Sequence, residues 1–280
     1  MIKPALKDQD FLDDVALARR RPQDLHLWWL GQSGFLLQWQ ASHLLFDPYL
    51  SDSLTAKYSA SQTPHVRMTE RVVAPRCLDF VDVVTSSHNH TDHLDAETLN
   101  ALMQANPALQ VLVPAANRAF AAARLQVAPR QLATVDVDGP MQLGPFTFHA
   151  VPAAHEQLET DEEGRHKFLG LVVEVGPWTV YHSGDTVRYE GLARRLRRWS
   201  IDVAILPING RDPSRGVAGN LSGPEAAQLA RDVEARLVVP CHYEMFAFNS
   251  ASPAVFVAAA RALDQPYRVL RNGERLTLAS

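Results

Sequence analysis

A valine-dense run, FVDVVTS (80–86), leads one serine later into His88-Asn89-His90-Thr91-Asp92-His93. The run reads as a buried strand, so the polar cluster behind it must gather at that strand's end. A loop leaving a strand end can point alternate side chains at one centre. His88 and His90 can then grip one ion, with Asp92 and His93 turned toward a second point beside it. Imidazole and carboxylate together suit zinc, iron or manganese. A solvated capping loop would account for a lone histidine, but not for three histidines and an aspartate in six positions.

Around this loop the chain alternates short apolar runs with helical segments. FLDDVALARR reads as a helix ending at Arg21-Pro22, because the residue before proline avoids helical geometry. LHLWWL, GFLLQW and HLLFDPYL are β-like runs, and residues 51–76 read as a polar excursion. A helix over Ala96–Gln104, a buried strand QVLVP (110–114) and an Ala-rich helix (115–125) follow. In the second half PFTFHAVPA (145–153) is a strand, and residues 168–185 form a hairpin turning at Gly176-Pro177. A basic helix (188–198) and IDVAILPI (201–208) come next. A helix then opens at Ser222, where Glu225 completes a capping box and Pro224 sits harmlessly in the first turn. RLVVPCHY (236–243) ends in histidine, and a helix (253–263) and strand (266–270) close the chain. The pattern predicts an α/β layered fold: two sheets face to face, helices outside. No linker rich in Gly, Ser or Pro divides the halves, so residues 1–280 read as one domain.

Composition excludes several classes. With 27 basic against 31 acidic residues the net charge is −4, without the basic excess of a nucleic-acid binder. No apolar run approaches the roughly 18 residues of a membrane span. MIKPALKDQDFLDD lacks a signal peptide's apolar stretch. Cys77 and Cys241, far apart in sequence, read as free thiols in a reducing compartment, so a cytoplasmic location is expected.

The remaining ligands should come from other strand ends. VPAAHE offers His155, YHSGDT offers Asp185 and VVPCHYE offers His242, each polar residue following an apolar run. In this order, HxHxDH, His, SGDT and a late His after a strand, the chain resembles the metallo-β-lactamase superfamily. The resemblance implies an αββα sandwich of two mixed sheets, with a site for two divalent ions at one edge. Carried over by position, His88, His90 and His155 would hold the first ion. Asp92, His93 and His242 would hold the second, with Asp185 between them. The histidine-rich set leans toward zinc, and manganese is allowed. Other histidines take the plainer reading. His182 orients Asp185 or is a satisfied buried ring, His149 packs or faces solvent, and His26, His43, His65 and His166 have no such context. Cys241 falls on the opposite strand face from His242 and reads as a buried thiol.

More of the chain, WWLGQSGFLL, TVYHSGDTVRYEGL and IDVAILPI...RLVVPCHYEMF, is similar to the L-ascorbate-6-phosphate lactonase group of metal-dependent hydrolases. That likeness implies a hydrolase acting on a lactone or small ester, including a phosphorylated sugar lactone. Asp92 would exchange the proton of the leaving alkoxide. The same apparatus would attack a phosphodiester of a nucleotide, phospholipid or RNA end, and a metal-binding protein that has lost catalysis is the alternative outside enzymes. The expected partner is a small, anionic substrate, with homo-oligomerisation left open. NGRDPSRGVAGN, between IDVAILPI and Ser222, carries Arg211 and Arg215. Their planar forks suit phosphate or carboxylate, so at least one should face the cleft. The acidic segment 156–166, opposite, should form a solvated lid.

Overall fold

Arg21-Pro22 closes the first helix early. In the computed structural model, which describes residues 1–216 and 218–280, α1 spans Asp8–Ala18. A three-stranded meander follows: β1 (Leu25–Gly31), β2 (Gly34–Trp39) and β3 (Ser42–Phe46). The excursion beyond it contains a short helix, α2 (Ser53–Lys57). Then come β4 (Val83–Thr85), α3 (Ala96–Ala105), β5 (Gln110–Pro114) and α4 (Arg118–Leu125). Next are β6 (Leu132–Val135) and β7 (Met141–Leu143). The second half holds β8 (Phe146–Pro152), β9 (Leu169–Val175), β10 (Trp178–His182) and α5 (Leu192–Leu196). It continues with β11 (Val203–Pro207), α6 (Gly223–Asp232), β12 (Leu237–Cys241), α7 (Pro253–Ala262) and β13 (Arg275–Leu278).

The strands form two mixed sheets. One has the order β13-β1-β2-β3-β4-β5-β6, the other β12-β11-β10-β9-β8-β7. In the first, β3 through β6 run parallel. In the second, β10, β11 and β12 run parallel, and β8 shares their direction through the antiparallel β9. Alternation decides the layering. From β1, Leu25, Leu27 and Trp29 point into the inter-sheet core with Phe146, Phe148 and Val173. Trp28 and Leu30, the alternate members, pack outward under Phe11 and Val15 of α1, in a cluster that also holds Leu99 and Leu102 of α3. A strand apolar on both faces needs a layer on each side, and the expected helix–sheet–sheet–helix arrangement results. Ser222 caps α6, exchanging bonds with Glu225 as expected.

Three expectations are corrected. Residues 266–270 hold only a single bridge to β12, Val238 to Tyr267. The closing strand is β13, which returns to the first sheet and pairs antiparallel with β1. The basic helix shrinks to one turn and a half, with Leu192 and Leu196 buried and the arginines outside. β6 and β7 occupy a polar stretch too short and mixed in pattern to mark as strand. Among the described residues no helix is long and apolar enough to cross a membrane.

Candidate metal centre

Four strands deliver the site. β4, β8, β10 and β12 stop just before the HNHTDH loop, His155, Asp185 and His242 respectively, so the residues after them emerge at one edge. The structure brings all seven expected residues together there. Ligand-capable atoms of His88, His90 and His155 lie within 4.8 Å of one another, as do those of Asp92, His93 and His242. Asp185 sits between the two groups. Its Oδ1 lies 3.4 Å from His93 Nε2, and its Oδ2 lies 3.6 Å from His155 Nε2 and 3.4 Å from His242 Nε2.

Local structure fixes each imidazole. The HNHTDH loop turns on itself, with the His93 and Leu94 amides donating to the His90 carbonyl at 3.1 and 2.8 Å. His155 Nδ1 lies 2.7 Å from the Gly219 carbonyl, which points Nε2 into the site. His93 Nδ1 lies 2.7 Å from Asp47 Oδ2. Asp47 is wholly buried, accepts from the Thr85 hydroxyl at 2.9 Å, and receives the Ser87 amide on both oxygens. Such a carboxylate–histidine pair sets the tautomer and leaves the other ring nitrogen free for a metal. Asp47 was not anticipated, although it follows the apolar LLF of β3 just as Asp185 follows β10.

Charge at the site points the same way. Burial opposes ionisation of Asp92 and Asp185, yet protonated His93 and His242 outweigh it and hold both carboxyls below their usual range. Burial likewise disfavours charge on His242, and Asp185 and Asp92 still raise it to about 9. His93 is raised well above the ordinary imidazole value against the same burial, chiefly by Asp185 and Asp92. His88 goes the other way: burial, then His93 and His90, keep it neutral. Asp47, Asp92 and Asp185 pair only with histidines among the described residues. Buried His88 Nε2, His93 Nε2 and Asp185 Oδ1 have no hydrogen-bond partner. Three carboxylates without a lysine or arginine, beside orphaned donor atoms, fit a pair of divalent cations.

The site floors a cleft of about 340 Å³. His90, Asp92, His155, Asp185 and His242 form the floor, and Lys57, Tyr58, His65, Arg124 and Phe246 line the walls. The excursion 51–76, read as a polar loop, therefore builds a wall. Tyr58 stacks on His65 with ring centroids 4.3 Å apart, and His65 meets Phe246 edge-on at 5.1 Å.

Three expectations resolve differently. Neither Arg211 nor Arg215 lines the cleft. Arg211 pairs with Glu225 at the first turn of α6, and Arg215 donates to the Asn209 carbonyl at 2.7 Å with Asp212 3.7 Å away. The first turn of α6 takes up Arg211 and the loop's own Asn209 carbonyl takes up Arg215, and Val217 of that loop lies outside the described residues. The acidic segment folds as a tight turn rather than a free lid: Arg165 and Asp161 are bonded, and Glu156 accepts the Gly219 amide at 2.6 Å. His182 is the satisfied buried ring of the two readings: it stacks on Phe46 at 5.0 Å, its Nε2 lies 2.8 Å from the Ser33 carbonyl, and its Nδ1 accepts the Gly184 amide at 3.2 Å. His65, given no role from sequence, lines the cleft. Cys241 is the buried free thiol expected, its pKa pushed up by burial.

Residues 43–243 match the family described as the beta-lactamase superfamily domain. The chain is 29% identical over 259 residues to a UPF0173 metal-dependent hydrolase of Opitutus terrae, covering 90% of this chain and 99% of that one. A Pyrobaculum neutrophilum protein of the same name is 25% identical, with coverage of 91% and 100%. Among solved structures, the isothiocyanate hydrolase from Delia radicum gut bacteria superposes with a TM-score of 0.71 at 19% identity, covering 91% of this chain and all of that one. A "possible metal-dependent hydrolase" from Veillonella parvula gives 0.70 at 17%, with coverage of 91% and 98%. These two likenesses carry the fold.

Proposed function

This chain belongs to the beta-lactamase superfamily domain family and is a metal-dependent hydrolase of it; from that premise we propose that it opens a lactone or small ester carrying an anionic group. The observation that supports the reading is the convergence of two ligand triads on one cleft, with Asp185 shared between them. His88, His90 and His155 hold the first ion, Asp92, His93 and His242 the second. Bound divalent ions supply a water of lowered pKa and a Lewis acid for a developing oxyanion. The chain's own residues do the rest. Asp47 holds His93 in the tautomer that presents Nε2. Phe168 packs on the rings of His88, His90 and His155 at 5.0, 6.0 and 5.8 Å, fixing them against rotation. Asp92, with 17% of its side chain exposed on the cleft, would accept the proton of the attacking water and pass it to the leaving alkoxide. Lys57 and Arg124 are the wall cations, and the Arg124 guanidinium rests on the carbonyls of Asn89 and Leu94 rather than on a carboxylate. Neither forms an ion pair among the described residues, so their charge favours an anionic substrate, and the cleft volume suits a molecule of sugar size. The likeness to lactonase motifs in WWLGQSGFLL and TVYHSGDTVRYEGL supports a cyclic ester.

The test is hydrolysis profiling of the metal-reconstituted chain on phosphorylated sugar lactones, neutral lactones, simple esters and phosphodiesters. Preference for anionic lactones or esters is expected. Turnover confined to phosphodiesters would replace the ester reading, and inertness on the whole panel would favour a binding role.

A further inference from the structure

Gln32 lies in WWLGQSGFLL, in the turn between β1 and β2, and is 1% exposed. Its backbone occupies the left-handed region at φ +51, and so does His242 at φ +63. The two are tied together, the His242 amide donating to the Gln32 carbonyl at 3.0 Å. Such a conformation is costly for a non-glycine residue and persists only where the surroundings impose it. What it achieves is the placement of a carboxamide among the second triad. Gln32 Nε2 lies 2.8 Å from Asp92 Oδ2 and 2.9 Å from His242 Nε2, whereas Oε1 is buried without a partner.

Neighbouring donor atoms around a six-coordinate ion stand about 3 Å apart when the bonds are about 2.1 Å. The end of the Gln32 side chain keeps that spacing from two members of the triad. An amide nitrogen has no lone pair to offer a cation, but Oε1 has, and a half-turn of the carboxamide exchanges the two atoms at little steric cost. Resting on the two-ion reading above, we propose that Gln32 is a further ligand of the second ion through Oε1, and that its Nε2 takes the ion's place as hydrogen-bond donor to Asp92 when none is bound. The orphaned Oε1 is then the atom waiting for the ion. A neutral oxygen binds more weakly than a carboxylate, so Gln32 strengthens the second position less than a glutamate there would.

Full-length wild type, Gln32→Ala and Gln32→Glu, stripped with chelator, are titrated with Co²⁺ and followed by visible absorption, with bound Zn²⁺ counted by elemental analysis. Wild type takes two equivalents. In Gln32→Ala the second equivalent binds about tenfold or more weakly, with an altered absorption band, and the first is unchanged. Gln32→Glu tightens the second. The assignment is overturned if Gln32→Ala leaves the second affinity unaltered, or raises it as removal of a plug would. Should Gln32→Ala lose both equivalents through misfolding, Gln32→Glu decides, and no tightening there sinks the proposal. A wild-type chain binding a single equivalent also overturns it. One that binds none removes the hydrolase reading as well, whereas two equivalents with an indifferent Gln32→Ala removes this assignment alone.

Discussion

The two sheets contribute to the centre in opposite ways. The seven-stranded sheet supplies four donors from six consecutive residues, His88 to His93, in one self-bonded turn behind β4. The six-stranded sheet supplies three donors from three strand ends, His155, Asp185 and His242, which meet only because β8, β10 and β12 share a direction. One half of the site is local structure and the other is topology. They touch at Gly184, whose φ is +58 and where a Cβ would lie 2.8 Å from the Ser87 side chain and from the Leu169 carbonyl. Only glycine lets the SGDT turn come so close to the HNHTDH turn, and Asp185 follows it directly.

If Asp185 joins the two contributions, its loss should cost most. Asp185→Ala should abolish binding of both ions together and lower turnover by about 10³-fold or more, roughly 4 kcal/mol of barrier. Asp92→Asn, on the local side, should lower turnover more than it lowers occupancy of the first position. Metal analysis and steady-state rates on the same preparations decide this. Two full equivalents in Asp185→Ala would show that the halves are held independently.

The next effect probes how the local half is held. Asp47 directly follows β3, outside the motif, and ties His93, Ser87 and Thr85 together. Asp47→Ala frees the His93 ring and should weaken ion binding 10–100-fold while leaving the secondary structure intact. Equal loss in the first and second positions would mean that Asp47 supports the whole loop rather than His93.

A smaller effect concerns the wall. Lys57→Ala should raise KM for anionic substrates about tenfold and spare neutral ones, the sign of lost uniform binding. Arg215→Ala, with its fork satisfied by Asn209, should leave both unchanged. The reverse pattern would return the anion site to the 211–219 loop.

That contrast also explains what the sequence could and could not convey. The seven clustered residues were legible because each lies just after an apolar run, so its side chain emerges at a strand end. The layered fold was legible because β1 to β3 are apolar on both faces. The cleft wall was not. Lys57, Tyr58 and His65 have no periodicity, and the wall is assembled by Tyr58 stacking on His65 and His65 meeting Phe246 edge-on, nearly two hundred residues away. Arg211 and Arg215 misled for the converse reason, since arginine's fork suits a loop's own carbonyls and carboxylates as well as a substrate's. Gln32 carried no signal because carboxamides are common in turns, and only its left-handed backbone and unpartnered oxygen set it apart.

The faintest expected effect separates the eleven histidines into those that serve the cleft and those that serve the core. His43, on β3 and 1% exposed, lies far from any donor cluster. Burial, helped by the positive charge of Arg19, lowers its pKa to about 4 from 6.5. The unfolded chain therefore takes up a proton below about pH 6.5 that the folded chain refuses until about pH 4. Stability contributed by a neutral His43 is complete above that upper value and drains away as pH falls through the window. Between about pH 7.5 and pH 5.5 the loss amounts to about 1 kcal/mol, or about 2 °C in the melting midpoint of a chain this size. His43→Leu keeps the volume and removes the titration, so its melting midpoint should fall less over that interval than the wild type's. Ions would mask the comparison through the cleft histidines, so both chains are measured after chelation. Parallel curves for the two would show that His43 keeps its proton balance on unfolding, and that the acid sensitivity of the fold resides in the metal centre.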